Sequence, residues 1–383
     1  MDKPGKLLVT HWLEPLLGDL PPLSFFDAHT HIGLNDPDGA RCTAEQLVAL
    51  LAPLDARAVV FPMQEPNGYR DANDHVLSEA GVSEGRLIPF CRLNPHDDPV
   101  AEASRCLERG ARGFKLHPRA EAFALDATGV REIFELANEC RLPVLIHAGR
   151  GIPALGRHSL ELATEFPDSR IILAHAAVSD VSWIWGHLPD HPNLFIDTSW
   201  WNPVDLLTLF AYVPPGRILF ASDAPYGMPA MNAILTLRCA LQAGLSPAQV
   251  RVVAGDQLDC VLSGMEPLDG GSAPGPPETP RDLILDRVFA YLTVALGRLI
   301  AGAPGDEAVA LARLACTVDD DAPQATTCRA MAALIELNEQ LAGGLTDLTT
   351  PSPQRLAALG PLLLAATLAA TPRVPIPAAL AAA

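Results

Sequence analysis

Phe25-Phe26-Asp27-Ala28-His29-Thr30-His31-Ile32-Gly33 is an apolar run that carries three ionisable side chains and ends on a glycine. Side chains alternate along a strand, so this run predicts Asp27, His29 and His31 on one face and Phe26, Ala28 and Thr30 on the other. Two imidazoles on one face of a strand end form a two-point grip for a metal ion.

Outward from this stretch the same pattern recurs. Apolar runs of strand length lie at 25–32, 56–63, 87–94, 111–117, 143–148, 170–176, 193–199 and 217–222, and helix-like segments separate them. Thr43 with Gln46 forms a capping box before Leu47, and Ser246-Pro247 with Gln249 forms another. Segment 128–140 places Val130, Ile133, Phe134, Leu136 and Ala137 on one helical stripe. Eight strands alternating with helices predict an α/β fold, a (β/α)8 TIM barrel. An open doubly wound sheet normally carries a glycine-rich phosphate loop after its first strand, and His-Thr-His-Ile-Gly is not one.

Chemistry-bearing residues fall at the ends of these runs, where barrels collect their active sites. They are His29 and His31, then Lys115 and His117, then His147, His175 and Asp223. Each alone fits a buried histidine or a helix cap, whereas together they point to a metal-dependent centre. Arg92, Arg150, Trp200 and Tyr226, with His117 at its strand end, are candidate substrate-binding residues. Of the adjacent Trp200 and Trp201, strand alternation would turn at most one toward the pocket.

The chain divides into an arm with one short helical piece (1–24), a barrel (25–264), a flexible Pro/Gly-rich linker (265–280) and a C-terminal all-helical extension (281–383). The extension contains no histidine, which points to packing against the barrel or homo-oligomer formation. Residues 372–383 read as a frayed tail. Net charge is -18 with no Lys/Arg cluster, which argues against nucleic acid as a partner. The apolar run at 356–371 is too short to span a membrane. Eight scattered cysteines without Cys-x-x-Cys, and no apolar leader over residues 1–20, suit a reduced, cytoplasmic protein.

Asp27-Ala28-His29-Thr30-His31, Lys115-Leu116-His117-Pro118, His147-Ala148-Gly149, His175-Ala176 and Ser222-Asp223-Ala224-Pro225 resemble, in order, the motifs of the amidohydrolase superfamily. The nearer resemblance is to the amidohydrolase-related branch that includes aminocarboxymuconate-semialdehyde decarboxylase. It implies a divalent metal, usually zinc with manganese as the alternative, held by His29, His31, His147 and Asp223. It also implies an acid/base role for His175 and a proton-accepting role for Asp223. Lys115 matches a lysine that is carbamylated in binuclear members. One metal with an unmodified Lys115 is the expectation here. The activity expected is hydrolysis of a small-molecule amide, ester or lactone. Nonoxidative decarboxylation of a small aromatic or unsaturated carboxylate, or an inactive metal-binding barrel, are the alternatives.

Overall fold

A computed structural model describes residues 3–18, 20–276, 282–343 and 352–381. Eight parallel strands follow one another in chain order: β1 (Phe26–Ile32), β2 (Arg57–Pro62), β3 in two pieces (Leu87–Pro89 and Cys91–Arg92), β4 (Phe114–Leu116), β5 (Pro143–Ile146), β6 (Arg170–Leu173), β7 (Leu194–Asp197) and β8 (Ile218–Leu219). Across the break in β3, Phe90 N–H donates to Val60 O (2.9 Å) and Cys91 N–H to Gly113 O (3.1 Å). The first and last strands also meet: Ala28 N–H donates to Phe220 O (2.9 Å), Asp223 N–H to His29 O (2.9 Å) and His31 N–H to Ala224 O (2.7 Å). These bonds join the two sheet segments into one ring.

Alternation along the strands builds two apolar layers. Val59, Phe61, Phe90, Leu145, Ile172, Phe195 and Leu219 fill the ring, and Leu258 and Val261 of the helix Gln257–Ser263 pack against them. Phe114, Leu116, Val144, Ile146, Ile171 and Leu173 face the surrounding helices. Gly113 faces inward, where a Cβ would come 2.6 Å from the Phe90 ring. Truncating an interior ring such as Phe195 to Ala costs about 3–5 kcal/mol. Both capping boxes form, with Gln46 N–H donating to Thr43 Oγ1 (3.2 Å) and Gln249 N–H to Ser246 Oγ (3.3 Å).

The N-terminal helix is longer than the short piece expected. It spans Lys3–Gly18 and buries Trp12, Leu13 and Leu16. Within the stretch read as a flexible linker, Leu268 N–H donates to Gln257 Oε1 (2.8 Å) and Gly275 N–H to Ala211 O (2.9 Å). Residues 277–281 lie outside the described residues. Beyond them come the helices Leu283–Ile300, Asp306–Ala315, Ala325–Ala342, Pro353–Ala370 and the short Ala378–Ala381.

The frayed tail expected from 372 does not hold for the described residues. Arg238 is fully buried in the barrel helix Pro229–Ala243, and its guanidinium donates to Thr371 O (3.1 Å), Val374 O (3.0 Å) and Pro375 O (2.8 Å). A buried cation demands acceptors, and this one draws them from the tail. All eight cysteines are free, seven of them buried and Cys140 exposed. Among the described residues, no helix is long and apolar enough to cross a membrane.

Candidate metal centre

The alternation expected in β1 breaks at a bulge. Asp27 pairs with Ala58 and Thr30 with Val60, so β1 spends one residue more than β2 over this interval. The extra residue resets the phase of the strand. Phe26 and Ala28 point into the barrel interior, and so do His29 and His31 beyond the bulge, while Ile32 faces the helices. Asp27 is therefore not on the face of the histidines by simple alternation. It sits at the β1–β8 seam, where its Oδ1 accepts from the backbone N–H groups of His29 and Ser222, both at 3.0 Å. Burial pushes its carboxyl up to about 7 against the pull of those hydrogen bonds.

His29, His31 and Asp223 converge, with one ligand atom from each lying within 4.8 Å of the others. Asp223 Oδ1 stands 3.0 Å from His31 Nε2 and 3.2 Å from His29 Nε2. Asp197, at the end of β7, settles which His29 nitrogen carries the proton: its Oδ2 accepts from Nδ1 at 2.9 Å. The lone pair of His29 Nε2 then faces the Asp223 carboxylate. Lys115 Nζ, 3.3 Å from that nitrogen, offers it one donor, and the converging imidazole and carboxylate atoms also form a donor set that fits a metal ion. Burial holds both imidazoles well below their usual pKa, which keeps them neutral and able to ligate.

His147 is not brought into that cluster. It belongs to a second chain of contacts beside it. His175 Nδ1 donates to Ser199 O (2.9 Å), so its Nε2 accepts from His147 Nδ1 (2.9 Å). His147 Nε2 is left buried with no hydrogen-bond partner. The two imidazoles of His117 and His147 stack at 3.8 Å, and a Cβ on Gly149 would come 2.6 Å from His147 Nε2. Burial lowers the pKa of all three histidines, with Asp223 opposing the effect at His175. His175 and Asp223 have left-handed backbones, φ 58° and 60°. Such strain, of order 1–3 kcal/mol per residue, persists where the surroundings impose it and clusters at functional sites.

Lys115 is fully buried, with Nζ 3.3 Å from His29 Nε2 and 4.8 Å from the centre of the Phe61 ring. Burial, reinforced by the Arg92 cation, lowers it to about 7 against the attraction of Asp223 and Asp197. Arg92 lines the cavity, but its guanidinium is paired with Glu121 at 2.7 Å. Arg150 is exposed and lies over the Trp200 ring at 5.5 Å. Tyr226 donates its hydroxyl to Asp36 and meets His31 edge-on. Both Trp200 and Trp201 line the cavity, contrary to the expectation that only one would, because they lie in the loop past β7 where strand alternation no longer applies.

Asp197 and Ser199 were missed by the motif reading. Asp197 Oδ1 accepts from His175 N–H (2.9 Å), Ser199 N–H (2.9 Å) and Ser199 Oγ (2.5 Å), so one carboxylate orients both histidine groups. Burial raises it to about 6 despite these bonds. The signal was present: Leu194-Phe195-Ile196-Asp197 places an acid at a strand end in phase with the inward-facing Phe195.

A family model described as amidohydrolase matches residues 26–256. No curated protein sequence matches the chain. Among solved structures, an uncharacterized TIM-barrel protein from Bordetella bronchiseptica superposes with a TM-score of 0.52 at 14% identity, covering 63% of this chain and 99% of that one. A 2,6-dihydroxybenzoate decarboxylase complexed with 2,6-dihydroxybenzoate gives 0.50 at 14% identity, with 63% and 100% covered. A dihydroxybenzoic acid decarboxylase from Polaromonas sp. JS666, with bound manganese and the inhibitor 2-nitroresorcinol, gives 0.50 at 14%, with 63% and 97% covered. At this identity they share the barrel fold with the chain.

Proposed function

The chain belongs to the amidohydrolase family, and from that membership we propose that it is a metal-dependent hydrolase of a small-molecule amide, ester or lactone. The observation that supports this most is the convergence of His29 Nε2, His31 Nε2 and Asp223 Oδ1. Mixed imidazole and carboxylate donors suit zinc, with manganese as the alternative. His147, whose Nε2 is buried and unpartnered, is the candidate fourth ligand. Bound there, the ion would supply Lewis-acid polarisation and a lowered water pKa.

The protein's own groups do the rest in this reading. Asp223, 23% exposed, takes the proton of the attacking water. That proton passes from Asp223 to the leaving group, while His175, fixed by Ser199 O and His147 Nδ1, orients the water. Lys115, buried beside His29, orients a substrate oxygen. Arg150 pairs with a substrate carboxylate at the rim.

Nonoxidative decarboxylation is the second reading. It is favoured by Arg150 stacked on Trp200, a pairing that suits a flat carboxylate, and by the decarboxylase activity of two structural relatives. Turnover by zinc- and manganese-loaded protein on lactones, anilides and aromatic carboxylates tests both. Isotopic oxygen entering the product from water supports hydrolysis, and released carbon dioxide supports the second reading. Bound metal with no turnover across the panel supports an inert barrel.

A further inference from the structure

The C-terminal helices do not pack away from the barrel mouth. They line the same cavity of about 780 Å³ that holds His29, His31 and Asp223. Leu356, Leu359 and Leu363 of the helix Pro353–Ala370 and Ile300 of the helix Leu283–Ile300 all border it. Spacings of three and four residues put the three leucines on one helical face. That face is only half-buried, whereas Ala358, Leu362, Leu364, Ala365 and Ala366 of the same helix are fully buried. Ile300 is 43% exposed.

A helix that is apolar all round belongs in a core, with every face covered. Here the half-buried face, with Leu363 also packed on the core, looks into the cavity. The rest of the lining is polar and carries both signs, with Arg119, Arg150 and Lys115 beside Asp36, Asp38 and Asp223. The two roof helices are held together where the Arg355 guanidinium donates to Leu299 O (3.2 Å) and Ile300 O (2.8 Å), at the end of their neighbour. Free carbonyls at a helix C-terminus favour a cation, so the roof has a fixed edge.

We propose that the helical extension is a specificity roof, and that the substrate is an amphipathic small molecule. Its carboxyl-derived head lies at His29, His31 and Asp223, and its alkyl portion lies against Leu356, Leu359, Leu363 and Ile300. The identity of the head rests on the function proposed above; the apolar contact does not. The residues of the roof lie beyond the family match, so this wall is a feature of this chain.

The test is calorimetric binding of butanoate, hexanoate, octanoate and decanoate to the full-length protein, with and without Zn2+. Each added methylene tightens binding about threefold until the cavity is filled. Leu359→Gln and Leu363→Gln flatten that series. Val294→Gln, at an exposed position on the helix of Ile300 but outside the cavity lining, leaves it unchanged. Should the leucine variants fail to fold, Ile300→Gln on the other helix gives the same readout from an exposed side chain. A flat series in the unaltered protein overturns the roof, as does a series that Leu359→Gln, Leu363→Gln and Ile300→Gln all leave unaltered. Equilibrium dialysis of Zn2+ keeps the two readings apart. Metal bound with a flat series removes the roof alone. A chain-length dependence without metal binding removes the metal centre and keeps the roof.

Discussion

The metal-side rim, built from the strand ends, and the helical roof line one cavity and are built in opposite ways. At the rim, polar groups are locked by hydrogen bonds, and Asp197 alone accepts from His29, His175 and Ser199. The roof offers leucines and an isoleucine on helices that contain no histidine. Directional bonds fix atoms to within tenths of an ångström, as reacting groups require, whereas apolar contact fixes only shape and size. In this account the rim carries the chemistry and the roof chooses the molecule. Changes at the rim then strike metal content and turnover, and changes at the roof strike which ligands bind.

The largest effect is expected from His29→Ala combined with His31→Ala, which removes two of the three converging ligands. Bound metal, measured by mass spectrometry, and turnover should both disappear while the fold persists, because the barrel interior is intact. His175→Asn should come next, lowering kcat about 10²–10⁴-fold with metal retained. Unchanged kcat would make His175 structural. Asp197→Asn should weaken metal affinity about 10–100-fold, since the partner that orients His29 is altered. A metal titration reads it directly, and an unchanged affinity would sever Asp197 from the centre.

The smallest effect on chemistry belongs to the anchor of the extension. Arg238→Met leaves the carbonyls of Thr371, Val374 and Pro375 without their donor. It should lower stability by about 1–3 kcal/mol in a denaturant melt while metal content holds. Loss of metal in that variant would show that rim and roof are not separable.

The barrel was legible because a period of two in the strands and of 3.6 in the helices is written locally, and the strand ends carried His, Lys and Asp in phase. Lys115 and His117 face inward while Phe114 and Leu116 face the helices, as alternation requires. The β1 bulge was not legible, because an inserted residue leaves no mark in composition; it shows only when β1 is laid beside β2. The paired tryptophans misled for a related reason, since strand alternation was carried one loop too far. What the extension covers was hidden more deeply. Nothing in Leu356, Leu359 and Leu363 distinguishes a core face from a cavity face until the helix is placed over the barrel.

The central claim is that one divalent ion is held by His29, His31 and Asp223 beside an unmodified lysine. The direct measurement is metal content per chain after dialysis, with and without added bicarbonate, for the native sequence and for Lys115→Ala. About one ion per chain is expected, insensitive to bicarbonate and retained in Lys115→Ala. A stoichiometry near two that depends on bicarbonate and falls in Lys115→Ala would contradict it and make Lys115 a ligand.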